Sequence, residues 1–209
     1  MLRKFLWLNV QYLAGLCLSV LLVSSVAQAQ KYETAVFAGG CFWCVESDFD
    51  RVLGVIETVS GYTGGAGANP TYQNYARNGH VEVVKITFDP QKTTYKKLLD
   101  VFWHSVNPTD PGGQFCDRGP AYSTAIFAQN RKQGAIARAS KSALIKKHAD
   151  KNIVTPIRGA TRFFPAENYH QGYAMRNPIR YKFYRSSCGR DRDVKKVWGK
   201  TAHRGIAKH

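Results

Sequence analysis

The period of hydrophobic and polar positions changes several times along the chain, and each change marks an element. "ETAVFAGG" (33–40) is an apolar run closed by glycines, the pattern of a buried strand. In "CFWCVESDFDRVL" (41–53), Cys41, Cys44, Val45, Phe49 and Val52 recur at helical spacing, which predicts a helix. "VIETVSGYTGG" reads as a second strand running into a glycine-rich loop, and "ANPTYQNYARNG" as a loop of turn residues. "HVEVVKITFDP" is the clearest strand and ends at Asp89-Pro90. In "TYKKLLDVFWHSV", Tyr95, Leu98, Leu99, Phe102 and Val106 share one helical face. A long loop, "NPTDPGGQFCDRGPAY", precedes the strand "STAIFAQ". A basic amphipathic helix follows, "NRKQGAIARASKSALIKKHAD", with Ile136, Ala139, Ala143 and Leu144 inward. Past Ile153 the pattern becomes irregular and aromatic. Strands alternating with helices predict an α/β (α+β) chain. The expected architecture is an open mixed sheet with packed helices, a ferredoxin-like two-layer core, and a long irregular C-terminal wrap.

Residues 1–29 follow different rules. Arg3 and Lys4 precede a nearly uncharged apolar run, and Ala27 and Ala29 then form an A-x-A exit. This is the pattern of a secretory signal peptide cleaved after Ala29. It leaves residues 30–209 as a single exported domain, periplasmic in a bacterium, with no stable membrane anchor. The alternative is a chain tethered to the membrane by an uncleaved N-terminal helix. Cys17 is set aside as a lipid-attachment site because Leu16 stands where a small residue is needed.

Composition narrows the picture. A hydrophobic content of 44% suits a packed globular domain. The net charge of +16 would attract nucleic acid, acidic lipid or acidic protein. No nucleic-acid-binding module is visible, so no nucleic acid partner is expected and the charge reads as a solubilising surface. Outside the leader stand Cys41, Cys44, Cys116 and Cys188, which allow three disulfide connectivities. Two structural staples are one reading. A C-x-x-C at a helix start is the other, and it is a reactive arrangement. Cysteine and histidine spacings match no familiar zinc pattern, and no metal is expected.

Cys41 follows a strand and two glycines and opens a helix. Free N–H groups and the positive end of the dipole there favour a thiolate, which predicts a lowered thiol pKa. Phe42 and Trp43 cannot both face inward, so at least one lines a cleft suited to a small apolar group beside the sulfur. Glu82 shares strand parity with Val84, Ile86 and Phe88 and therefore points inward. A carboxyl so placed has a raised pKa and stays protonated near neutrality, unless it bends out to water or pairs with an arginine. By spacing alone Asp117 is a turn aspartate, and Tyr72, Tyr75 and Tyr122 are hydroxyl donors or packing. In "FFPAENYHQGY", Glu167 and His170 gain interest only as a cluster, and His170 reads as structural.

Taken in order, "GGCFWC", "GYTGG", "NPTY", "GHVEVV", "NPTDPGGQFCDRG" and "PAENYHQ" resemble the A-type peptide methionine sulfoxide reductases (MsrA), from about Glu33 to Gly199. The resemblance implies reduction of methionine S-sulfoxide, free or in proteins, hence protein repair under oxidative stress. It implies Cys41 as nucleophile, Glu82 as acid, and Tyr72 and Tyr122 as hydrogen-bond donors to the sulfoxide oxygen. Phe42 and Trp43 would enclose the methyl group, and Asp117 would orient substrate or nucleophile. Cys188 would resolve the oxidised Cys41, with Cys44, one helical turn away, as its rival or relay. Cys116 is read as a bystander, with a role in relay as the alternative. A thioredoxin-like dithiol would restore the thiols, with no other cofactor. The stretch between "NPTY" and "GHVE" is shorter than is usual in that family, so Tyr75 competes with Tyr72. Two other classes stand beside this one: a general thiol–disulfide oxidoreductase using Cys41 and Cys44, and a basic binding protein. An inward Glu82 separates the first pair, because disulfide exchange has no oxygen to protonate.

Overall fold

The computed structural model describes residues 32–208; the leader-like segment lies outside them. Strand Glu33–Gly39 (β1) turns through Gly40 and Cys41 into helix Phe42–Phe49 (α1). Strands Val55–Thr63 (β2) and Val81–Phe88 (β3), helix Tyr95–Trp103 (α2), and a small hairpin of Gly113–Gln114 (β4) and Asp117–Arg118 (β5) follow. Strand Thr124–Ala128 (β6) and helix Arg131–Lys147 (α3) come next, then the short strands Ile157–Gly159 (β7) and Phe164–Pro165 (β8). Helices Tyr173–Arg176 (α4), Pro178–Cys188 (α5) and Arg190–Trp198 (α6) close the described chain.

The sheet runs β7-β6-β1-β3-β2-β8. All pairs are antiparallel except β6 with β7, so the sheet is mixed. Its centre, β6-β1-β3-β2 with α1 and α2 inserted, has the order of the ferredoxin-like core expected from the strand–helix alternation. Strand parity sets two apolar faces. Ala35, Phe37, Val84 and Ile86 pack with Phe42, Val45 and Phe49 of α1 and Leu98, Leu99 and Phe102 of α2. Val36, Ala38, Val81, Val83, Ala125 and Phe127 form the other face, beside Phe163. Helix starts follow local chemistry: Thr94 accepts from the Lys97 N–H and Asn130 from the Gln133 N–H.

Two expectations need correction. In α3 the inward face is Gln133, Gly134, Ala137 and Leu144, with Ile136 half-buried; Ala139 and Ala143 are exposed. Gln133 wins its place by donating to the Thr34 carbonyl and accepting from the Gln129 N–H, which an apolar count cannot register. The C-terminal segment does wrap the core, but part of it is helical. Pro178 starts α5 and Gly189, at φ 71°, separates it from α6. Tyr181, Arg185 and Cys188, then Arg190, Val194 and Trp198, recur every three or four residues and are buried. Two arginines in that buried row make the stripe look polar in the sequence.

Candidate active site

The turn from β1 into α1 depends on glycine. Gly40 sits at φ +82°, and a Cβ there would lie 2.6 Å from the Gln114 Cβ. Cys41 is thereby delivered to the N-cap of α1 at the floor of a cavity of ≈ 60 Å³. Phe42, Trp43, Tyr72, Glu82, Asp117 and Tyr122 line this cavity with it. Residues spread over four elements and two loops are thus gathered around one sulfur. Tyr184 of α5 is the lining residue that the sequence did not suggest.

Glu82 lies opposite Tyr62 in the β2–β3 register and is 2% exposed. Its Oε2 accepts the Phe42 N–H at 2.8 Å and its Oε1 accepts the Tyr75 hydroxyl at 2.9 Å. Burial pushes the carboxyl up to about 8, against the lowering effect of those two donors. Both neighbours donate, so the carboxyl's own hydrogen is left free to face the cavity. Tyr75 stands behind Glu82, buried, while Tyr72 reaches the cavity and is 40% exposed.

The expected acidification of Cys41 is not what this geometry provides. Burial pushes the Cys41 thiol well above its ordinary range, and its hydrogen-bonded neighbour Cys44 and the charge of Glu82 add to the rise. The physical reason is local. Cys41 is 6% exposed and makes no side-chain cap bond, and the Phe42 N–H at the helix start is taken by Glu82. Cys44 moves the other way, lowered by the hydrogen bond from Cys41 despite its burial, with help from Arg190 and Arg185. Beneath it, Asp48 pairs with Arg185 at 2.9 Å and with Arg190 at 3.7 Å.

The remaining cysteines lie beside the same cavity. Cys116 and Cys188 form a disulfide, whereas Cys41 and Cys44 are free thiols. The β4–β5 hairpin presents the Cys116 sulfur to Cys188, the last residue of α5, a pairing the sequence reading did not single out. Cys188 Sγ sits 3.8 Å from Asp117 Oδ2, which accepts the Tyr184 hydroxyl at 2.6 Å. Tyr184 and Cys41 line the same cavity. Burial raises the Asp117 carboxyl, with the Tyr184 bond opposing.

Aromatic rings build the wall. Trp43 stacks on Tyr173 at 3.7 Å between centroids, and its Nε1–H donates to His170 Nδ1 at 3.1 Å. Burial lowers the His170 pKa, which keeps the ring neutral and able to accept. Glu167 accepts both the Tyr62 hydroxyl and the Tyr72 N–H at 2.9 Å, so it fixes the Tyr72 backbone. The cluster in "FFPAENYHQGY" is a support for the cavity wall. Tyr173 and Tyr184 escaped the sequence reading because their segment shows no apolar period.

Known proteins place the chain in a family. The sequence profile of the family described as peptide methionine sulfoxide reductase matches residues 33–202. The chain is 55% identical over 183 residues to "Peptide methionine sulfoxide reductase MsrA 2" of Rhizobium meliloti, covering 87% of this chain and 91% of that one. It is 47% identical over 174 residues to "Peptide methionine sulfoxide reductase MsrA" of Bacillus subtilis, covering 82% and 98%. Among solved structures it resembles methionine sulfoxide reductase A of Corynebacterium diphtheriae, with TM-score 0.68 and 30% identity over 73% of this chain and 78% of that one. Reduced Mxr1 of Saccharomyces cerevisiae is similar at TM-score 0.65 and 27% identity, over 72% and 88%. A matched profile that spans nearly all of the described residues, and relatives this close over most of their own length, establish that the chain belongs to the A-type peptide methionine sulfoxide reductases.

Proposed function

We propose that Cys41 reduces methionine S-sulfoxide by direct attack on sulfur while Glu82 protonates the oxygen. The observation that carries this reading is the buried Glu82 carboxyl, raised to about 8 and anchored on the Phe42 N–H beside Cys41. An oxide ion is an unworkable leaving group, so a protonated acid held dry beside the nucleophile is what the chemistry requires. Starting from a Cys44 thiolate, which its lowered pKa favours, the Cys41 proton passes to the Cys44 sulfur, so the negative charge moves to Cys41 and the charge of the pair is unchanged. That thiolate attacks the sulfoxide sulfur, and Glu82 gives its proton to the oxygen. The sulfur–oxygen bond breaks, hydroxyl passes to Cys41, methionine leaves with its lone pair, and the displaced thiol proton returns to Glu82. Tyr72 and Tyr122 hydrogen-bond the oxygen, Phe42 and Trp43 enclose the methyl group, and Asp117 orients the thiol through Tyr184. The product at Cys41 is a sulfenic acid.

With Cys188 bonded to Cys116, Cys44 is the thiol next to Cys41 and condenses with the sulfenic acid, releasing water. Direct resolution by Cys188 requires its own disulfide to be open. A thioredoxin-like dithiol restores the thiols; the requirement for two electrons per turnover supports it. The leader pattern of residues 1–29 supports an exported, periplasmic site of action on oxidised proteins, which N-terminal sequencing of the secreted chain checks.

The deciding assay uses separated S and R epimers of a methionine sulfoxide peptide with dithiothreitol. Turnover confined to the S epimer, and abolished in Cys41→Ser, is the expected result. Residual turnover by the purified Cys41→Ser protein would remove Cys41 from the chemistry. The rival thiol–disulfide oxidoreductase reading predicts disulfide exchange that does not depend on Glu82.

A further inference from the structure

We propose that the outer face of α5 is a docking surface for an anionic lipid membrane, separate from the catalytic cavity. Ile179 and Phe183, four residues apart, share one face of α5 and are 86% and 75% exposed. Met175 of α4 is 74% exposed. These are three of the four most exposed large hydrophobic side chains among the described residues. Ile179 and Phe183 line an open cleft with Asn177, Pro178 and Arg180. The other face of α5 serves the interior: Tyr181, Arg185 and Cys188 are buried, and Tyr184 lines the catalytic cavity. The outward pair therefore takes no part in holding the fold.

Charge selects the occupant. Residues 168–190 contain no Asp or Glu. Arg176, Arg180 and Lys182 are exposed there, beside the apolar side chains. The acids that bound this stretch are engaged elsewhere: Glu167 accepts the Tyr62 hydroxyl and the Tyr72 N–H, and Asp191 pairs with Arg185. An exposed apolar row rimmed by cations is the pattern of a helix that lies in a lipid headgroup layer. Acyl chains take Ile179 and Phe183, and anionic headgroups take the guanidinium and ammonium groups. A protein groove would need a carboxylate placed at each cation, whereas a lipid surface supplies anionic groups at any spacing. The contact is peripheral, since none of the described helices is long and apolar enough to cross a membrane.

The test follows this face alone, in the full chain. Phe183→Trp introduces an indole at the centre of the face, and brominated acyl chains quench an indole only on contact. The variant is titrated with brominated vesicles of phosphatidylcholine, alone or mixed with phosphatidylglycerol, beside the wild-type chain. Quenching beyond that of the wild type is expected with the mixed vesicles, and weaker quenching at high salt. Adding Ile179→Ser should raise the lipid concentration for half-quenching about ten-fold or more. Adding Arg180→Ser or Lys182→Ser should raise it about five-fold each. All these variants should turn over free methionine sulfoxide at the wild-type rate, because none of the altered side chains lines the cavity. A variant that loses this rate has misfolded, and the Phe183→Trp chain alone then decides. No quenching beyond the wild type, or equal quenching by neutral vesicles, overturns the proposal. A wild-type dimer that Ile179→Ser with Phe183→Ser dissociates, seen by analytical ultracentrifugation without any such quenching, also overturns it and assigns the face to a second copy of this chain.

Discussion

Burial raises both Glu82 and Cys41, and one backbone N–H fixes where the Glu82 carboxyl lies beside the sulfur. The Phe42 N–H bonds Glu82, so the carboxyl is held in place while the N-cap sulfur is left without that donor. Glu82, raised to about 8, keeps its proton across the neutral range and loses it as pH climbs through that value. Activity is therefore expected to fall above pH about 8, and a kcat/KM profile with an alkaline limb there is the check. The same shift fixes the sign for stability. The folded state binds this proton more tightly than the unfolded chain does, so the contribution is full below the ordinary carboxyl range and is lost as pH rises through about 8. Glu82→Gln keeps a side chain that can accept from Phe42 but cannot supply the acid. It should lower kcat/KM by about 10²–10⁴-fold and remove the alkaline limb. Iodoacetamide should still alkylate Cys41 in this variant; a variant with near-normal turnover would take the acid role away from Glu82.

Helix α1 and the segment leading into α4 make the cavity wall together. Trp43 stacks on Tyr173, and Glu46 Oε2 accepts the Gly172 N–H at 3.0 Å at the start of α4. Gly172 sits at φ 58°, a left-handed conformation that suits glycine, and so lets the chain turn its N–H toward Glu46. Tyr173→Ala removes one ring from the stack, an aromatic pair worth about 0.5–1.5 kcal/mol beyond its buried area. KM for a sulfoxide peptide should rise roughly three- to ten-fold with kcat less affected. Tyr173→Phe should restore it, because the phenolic oxygen takes no part in the stack. An unchanged KM in the alanine variant would mean that Trp43 holds its position without the stack.

Across the molecule, Arg190 ties the C-terminal wrap to the core. Its guanidinium donates to the Gly39 and Ser105 carbonyls at 2.9 Å each and lies near Asp48 of α1. The arginine of α6 thus grips the end of β1, the residues after α2, and the helix that presents Cys41. Arg190→Met fills much of the volume but leaves two carbonyls and part of the Asp48 charge unmatched. Removing one member of a buried ionic cluster costs about 3–5 kcal/mol, and Arg185 remaining beside Asp48 places the effect near the lower end. Urea unfolding with the Cys116–Cys188 bond held in one redox state measures it; a change below about 1 kcal/mol would show that solvent reaches the cluster.

Much of this was legible from residue order. Period-two and helical spacing located β1, α1, β3 and α2, and parity alone turned Glu82 inward, because those patterns are imposed locally by backbone geometry. The motif blocks identified the family for the same reason: each is a short contiguous stretch. Distant pairings were not legible. Cys116 with Cys188, Tyr184 with Asp117, and Arg190 with Gly39 join residues 72, 67 and 151 positions apart. No local preference encodes such contacts. The Cys41 proton illustrates the limit best: position at a helix start argued for a thiolate. Which side chain claims the helix's first N–H, and how dry the sulfur lies, follow from β3 packing against α1.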